Sequence, residues 1–314
     1  MNIAHHTRRI LQKLTQILVV LGVATVAACS TAPPAPVISS GRIERLGMVP
    51  SQHVEPRLVD VWLPEDYSHN KRYSVLYMHD GQSIFDGATS FSKKGWHMDG
   101  ALGRLLQEGR VKDTIVVAVW NTGHSRWAEY FAQKAVPLIE EPARSIFTAK
   151  FLQDKPRADD YLRFLVQELK PLIDKKYATR PDPANTAIMG SSMGGIISLY
   201  AMSEYPQVFG AAACLSTHWI GSFEQNTAIP LATFEYLRKH LPDPSSHRLY
   251  MDRGTTELDA MYQPHQDLAD AVVREKGYTA ANFASLIFPG AGHNEVEWSK
   301  RLESPLTFLL GYKP

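Results

Sequence analysis

Residues 186–200 read Thr186-Ala187-Ile188-Met189-Gly190-Ser191-Ser192-Met193-Gly194-Gly195-Ile196-Ile197-Ser198-Leu199-Tyr200. A short apolar run enters a Gly-x-Ser-x-Gly turn and leaves as an apolar helix. Such a turn is tight enough to strain the serine backbone, and Gly190 and Gly194 are expected to supply room where side chains would clash. The Ser192 hydroxyl then stands at the start of a helix. There, unpaired N–H groups and the helix dipole favour developing negative charge. Ser191 and Ser198 read as structural serines.

The alternation continues on both sides. Apolar runs at 58–63, 73–78, 115–119, 211–215, 249–251 and 283–288 are bounded by turn residues. They suit strands buried on both faces of a parallel sheet. Between them, Tyr161, Leu162, Leu165, Val166, Leu169, Leu172 and Ile173 repeat at helical spacing, predicting a helix over 158–177 with a kink at Pro171. Leu268, Ala271 and Val272 mark a second helix, closed by Gly277. The expected class is α/β, a doubly wound, mostly parallel sheet flanked by helices, in one domain over 42–314.

A nucleophilic serine in this setting needs a base and an acid, in chain order Ser, acid, His, on loops after later strands. His293 lies in Pro289-Gly290-Ala291-Gly292-His293-Asn294, directly after the last apolar run, and is placed to take the Ser192 proton. The run at 249–251 leads to Asp252, Glu257 and Asp259. Asp252 falls at the strand end, and either loop carboxylate, Glu257 or Asp259, could orient the imidazole. The oxyanion hole is expected to combine the N–H of Met193 with that of Gln82, in the loop His79-Asp80-Gly81-Gln82.

These segments resemble the putative-esterase family of α/β-hydrolases, which includes esterase D-like, feruloyl and siderophore esterases and, more distantly, mycolyltransferases. The resemblance runs from Leu58 to Leu310. His79-Asp80-Gly81-Gln82 with Phe85-Asp86 is similar to the family's first active-site loop, Gly95-Trp96 to its tryptophan segment, Met189 to Gly195 to its nucleophile turn, and Gly292-His293-Asn294 to its histidine loop. Glu129-Tyr130-Phe131 and Leu215-Ser216-Thr217-His218-Trp219 look like a bacterial subgroup, in which Gly254-Thr255 followed by Leu258-Asp259-Ala260 favours Asp259 as the acid; more distant members would place it at Glu257. The resemblance implies an α/β-hydrolase fold and no metal or organic cofactor.

Composition agrees with an enzyme of this size. The chain has 314 residues with 33 Lys+Arg against 32 Asp+Glu, which gives no cation excess to neutralise nucleic-acid phosphates. Among twelve histidines there is no His-Glu-x-x-His or comparable metal-ligand spacing. The N-terminus reads as a targeting signal: Arg8, Arg9 and Lys13 precede an apolar stretch that ends in Val26-Ala27-Ala28-Cys29-Ser30. This resembles a bacterial lipobox. It predicts a signal peptide over 1–28, lipidation of Cys29 and a flexible Pro/Ala/Ser tether over 29–41, followed by the hydrolase domain. An ordinary signal peptide or an uncleaved anchor is the alternative. Arg8, Arg9 and Lys13 are the only charges in 1–28, so cleavage leaves 30 basic against 32 acidic residues. The expected location is the bacterial cell envelope, held to a membrane by lipid, and Ser30 rather than Asp after the cysteine, by its resemblance to lipoprotein sorting in double-membrane bacteria, favours the outer membrane. Cys214, in an alanine-rich run, reads as a small buried hydrophobe.

The expected activity is therefore hydrolysis of a carboxylic ester through an acyl-enzyme on Ser192, the substrate being a small-molecule or glycan-linked ester. Trp120, Asn121, Arg126, His218 and Trp219 follow strands and are the candidate substrate-binding residues. Two alternatives remain: acyl transfer to a sugar or lipid hydroxyl on the same residues, or a catalytically retired surface protein that stacks sugars on Trp96, Trp120, Trp127 and Trp219.

Overall fold

β-Branched and apolar residues dominate the strands, and their alternation sets two cores on opposite faces of one sheet. The computed structural model describes residues 33–312; the signal segment and Cys29 lie outside the described residues. Eight strands, β1 (Arg42–Val49), β2 (Arg57–Leu63), β3 (Ser74–His79), β4 (Thr114–Val119), β5 (Thr186–Ser191), β6 (Ala211–Leu215), β7 (Arg248–Arg253) and β8 (Phe283–Ile287), form a sheet of order β1-β2-β4-β3-β5-β6-β7-β8. β1 and β2 pair antiparallel, as do β2 and β4; every other pairing is parallel.

The helices are α1 (Met98–Gln107), α2 (Arg126–Tyr130), α3 (Ala143–Phe151), α4 (Ala158–Arg163), α5 (Lys170–Lys176), α6 (Met193–Glu204), α7 (Ala228–His240), α8 (Gln263–Glu275), α9 (Glu295–Lys300) and α10 (Glu303–Leu310). Along β3, Val75 and Tyr77 join the core beneath α2 to α8, while Leu76 and Met78 join the core beneath α1 and α10. That period of two is what a strand covered on both faces requires. Cys214 is fully buried in β6, and burial pushes its thiol pKa up.

Three expectations change. β1 escapes sequence reading because Arg42, Glu44 and Arg45 interrupt its apolar pattern; as an edge strand it needs little apolar surface, and a register shift between Arg45 and Gly47 bends it. The helix over 158–177 is α4 and α5 joined by a π-helical segment, Phe164–Leu169, in which Lys170 N–H reaches back to the Leu165 carbonyl. The irregularity thus lies one turn ahead of Pro171, whose ring supplies no N–H. The tether is not free up to Gly41. Val37 N–H donates to Asp86 at 2.5 Å, Ser39 N–H and Oγ–H donate to Asp99, and the Ser40 carbonyl accepts from the Trp62 indole at 2.7 Å. The folded unit begins at Pro34.

Candidate active site

β5 delivers Ser192 to the carboxyl edge of the sheet. Its backbone has φ +57° and ψ −122°, a conformation rarely occupied by any residue with a side chain, and α6 begins with the next residue. Two bonds hold it there: Ser192 N–H donates to the Leu215 carbonyl at 2.9 Å, and His218 N–H donates to the Ser192 carbonyl at 3.2 Å. A Cβ on Gly190 would lie 2.7 Å from the Gly194 carbonyl oxygen, and one on Gly195 would lie 2.8 Å from Thr217 Oγ1. One on Gly194 would meet only ordinary contacts, at 3.5 Å from the Asp80 carboxylate, so Gly195 rather than Gly194 is the second tight position. Gly190→Ala should therefore cost about 1–3 kcal/mol of overpacking and lower Tm by several degrees. Gly194→Ala should leave Tm nearly unchanged in the same melting experiment.

Met193 opens α6, so its N–H has no partner inside the helix. The second candidate amide, Gln82, lies in the turn Gly81–Ser83 after β3. That turn is built on Asp80, at φ +59°, and on Gly81, where a Cβ would collide with the Trp120 ring at 2.7 Å and the Ala118 carbonyl at 2.8 Å. The Asp80 carboxylate takes a two-pronged ion pair from Arg126, at 2.8 and 2.7 Å, and a bond from Asn121 Nδ2 at 2.7 Å. Burial pushes the Asp80 carboxyl up, but Arg126 and Asn121 outweigh it and hold the pKa below the usual value. Gln82 Oε1 accepts from Asn121 N–H at 3.2 Å. Asn121 and Arg126, expected to meet substrate, instead brace the loop that carries Gln82. Trp120 is likewise committed, its indole donating to Asp60 at 3.0 Å beneath the Arg45 guanidinium.

α2 is anchored twice. Arg126 grips Asp80, and three residues on Glu129 forms a fully buried, two-pronged ion pair with Arg57 of β2, both bonds at 2.8 Å. Between them, Trp127 stacks on Phe151 at 4.8 Å and meets the Phe223 ring edge-on at 5.7 Å. Ile146, Phe147, Phe151, Phe223 and Ile229 line an adjoining cavity of about 210 Å³. Phe223 is 67% exposed; with no strand or motif beside it, it drew no notice in the sequence.

The three candidate acids separate. Asp259, fully buried, receives the His293 imidazole: Nδ1 to Oδ1 is 2.6 Å. Glu257 instead accepts from His293 backbone N–H at 2.8 Å and from Asn294 Nδ2, so it holds the loop rather than the ring. Gly292 makes that approach possible, since a Cβ there would lie 2.6 Å from the Glu257 carboxyl carbon. Asp252 stays within β7 and pairs with Arg301 at 2.8 Å. Burial pushes the Asp259 carboxyl up, but bonds from His293, Ser216 and Gly254 hold it below its usual pKa. An ionised Asp259 requires the proton on His293 Nδ1, which leaves Nε2 with its lone pair. Neither Ser192 Oγ nor His293 Nε2 has a hydrogen-bond partner among the described residues.

His218 and Trp219 are not cleft residues. His218 is 1% exposed, with Nδ1 on the Tyr262 hydroxyl at 2.5 Å, and burial lowers its pKa to about 3. Its ring meets the Trp127 ring edge-on, at 5.3 Å and 89°. Tyr262 in turn contacts the His293 ring at 5.7 Å, so a packed path joins Ser192 to His293 through His218 and Tyr262. Trp219 is fully buried, its indole bonded to Gln266 at 2.9 Å. Trp96, 4% exposed, packs on Trp298.

A mostly parallel sheet of this strand order, with a serine elbow after β5 and a buried acid–histidine pair after β7 and β8, defines an α/β-hydrolase. Residues 54–309 match the family described as "Putative esterase", and the chain belongs to that family as a carboxylesterase-like hydrolase. It is 24% identical over 267 residues to the uncharacterized protein YbbA of Bacillus subtilis, covering 81% of this chain and 93% of that one. It is 22% identical over 236 residues to a siderophore enterobactin esterase of Emericella nidulans, covering 68% and 73%. A ferulic acid esterase structure shares the fold with a TM-score of 0.63 at 20% identity, covering 87% of this chain and 99% of that one.

Proposed function

We propose that the protein hydrolyses a small-molecule carboxylic ester through an acyl-enzyme on Ser192. The observation that carries this reading is the 2.6 Å contact between buried Asp259 and His293 Nδ1, which leaves Nε2 as a base at the sheet edge where Ser192 follows β5. Ser192 Oγ attacks the ester carbonyl carbon as its proton passes to His293 Nε2, and the N–H groups of Met193 and Gln82 receive the oxyanion. Collapse of the intermediate breaks the bond to the alcohol, which leaves with the Nε2 proton. Water then repeats the sequence, releasing the acid and restoring Ser192. The half-buried Trp127 with Phe151 and Phe223 would receive an apolar ring or chain of the substrate, in keeping with relatives named for ferulic acid and enterobactin esters. A fluorophosphonate probe should label the protein at one site, and labelling should vanish in Ser192→Ala; a labelled alanine variant would refute the mechanism.

Export and lipid anchoring at Cys29 complete the proposal, on the strength of the Val26-Ala27-Ala28-Cys29 segment. The full chain expressed in a bacterium should partition with membranes and carry a lipid-modified N-terminal peptide by mass spectrometry. Cys29→Ala should lack that modification; an unmodified wild-type chain would exclude lipidation.

A further inference from the structure

We infer that Ser216 is a positioning residue for the catalytic acid, its hydroxyl set by Trp298 and Arg301 so that its only proton must point at Asp259; this rests on the reading of Asp259 as the acid of the Ser192 mechanism. Ser216 directly follows β6, with φ +43°. Left-handed backbone at a residue with a side chain costs energy and persists where the surroundings over-determine it. Here Ser216 N–H donates to the Asp252 carbonyl at 2.8 Å.

The hydroxyl settles its own direction by counting. A serine oxygen has two lone pairs and one proton. The Trp298 indole N–H reaches that oxygen at 3.0 Å and an Arg301 guanidinium N–H at 2.8 Å, and both groups can only donate. With both lone pairs taken, the proton goes to Asp259 Oδ2, 2.5 Å away. Gly254 N–H meets the same oxygen at 2.5 Å, while Oδ1 is left to His293. Three donors, from the ends of β6, β7 and β8, thus fix the carboxylate plane. Arg301 is held in turn by Asp252, which also accepts from the Tyr250 hydroxyl at 3.0 Å, and it lies over the Phe288 ring at 5.0 Å. Ser216, Asp252 and Asp259 are fully buried and Arg301 is 4% exposed, so water cannot substitute for a missing partner at little cost.

Ser216 therefore joins two buried charge pairs, Asp259 with His293 and Asp252 with Arg301. The other titratable groups near the acid are Glu257, which opens the turn after β7 and accepts from the histidine loop, Tyr262 and His218. Deleting the hydroxyl removes one donor from Asp259, concentrates its charge on the imidazole and favours the protonated ring. It also loosens the plane that aims His293.

The test is a pH profile of kcat/KM for 4-nitrophenyl acetate with Ser216→Ala, alongside a melting curve. The expected result is a kcat lower by about ten-fold with KM little changed, and an acidic limb moved to higher pH by about half to one unit, less than a full hydrogen bond to a charged group because the ring feels the loss through Asp259. Ser216→Cys, which keeps a weak donor, should recover part of both; if the alanine variant fails to fold, the cysteine variant should still show a smaller shift of the same sign. A lowered Tm with the limb and kcat unmoved would make Ser216 a structural residue and overturn the inference. Ser192→Ala retaining full turnover would instead remove the mechanism beneath it, and the two failures are told apart by that variant.

Discussion

Ser192→Ala is expected to turn over 4-nitrophenyl acetate about ten-thousand-fold more slowly than the wild-type chain, or worse, with an unchanged melting temperature. On the proposed mechanism the rate follows from losing the nucleophile, since water would then attack without covalent help; the amides of Met193 and Gln82 and the binding of the ester would remain and supply whatever turnover is left. The unchanged stability follows from geometry. Alanine keeps the Cβ that already tolerates φ +57°, and the Ser192 hydroxyl bonds to no described residue, so its deletion strands no buried partner. Undiminished turnover in a folded alanine variant would leave the acyl-enzyme reading without its central atom.

Asp259→Asn should be nearly as damaging to rate, by about ten-thousand-fold, while Glu257→Gln should stay within a few-fold. An asparagine amide turned toward His293 would donate to Nδ1, moving the ring proton to Nε2, where no base remains. Among the described residues Glu257 accepts hydrogen bonds from the backbone N–H of His293 and the Asn294 amide, and a glutamine oxygen can accept from either. Comparing kcat/KM for the two variants separates the acids, and a reversal of their order would reassign the role to Glu257. Stability carries a second signature. Folding lowers the Asp259 pKa, so the ionised carboxylate contributes stability in full above the ordinary aspartate value, and that contribution is lost as pH falls through the lowered value. Asp259→Asn should flatten the acid side of the stability–pH curve, measured by denaturant unfolding.

The parts of this architecture that announce themselves are those built from local rules. The apolar run into Gly190-Ser191-Ser192, the glycine loop at His293 and the alternation of strand and helix each follow from neighbours in the chain. What stayed hidden depends on distant residues. Nothing near Asn121 or Arg126 says that Asp80, some forty residues earlier, will claim both side chains. Trp298 and Arg301 are three apart, as one helical face requires, but only the folded sheet brings Ser216 beneath them. Trp219 looks available in a loop after a strand, yet Gln266 of α8 offers its indole a buried acceptor and the ring sinks into the core. The acid was narrowed to two by spacing, and a carboxylate's reach, one methylene shorter in Asp259 than in Glu257, could not by itself say which would meet the ring.

The double anchorage of α2 bears on how such an enzyme could acquire new tastes. A five-residue helix has no stability of its own, and here ion pairs at Arg126 and Glu129 pin it to the loop that carries Gln82 and to β2. Trp127, between the two, makes ring contacts with Phe151, Phe223 and His218 but carries no ion pair of its own, so it can be exchanged for another ring without loosening either anchor. Variation could then explore one wall of the cleft while the groups that break the ester keep their places. The division lets selectivity drift without first passing through an inactive protein.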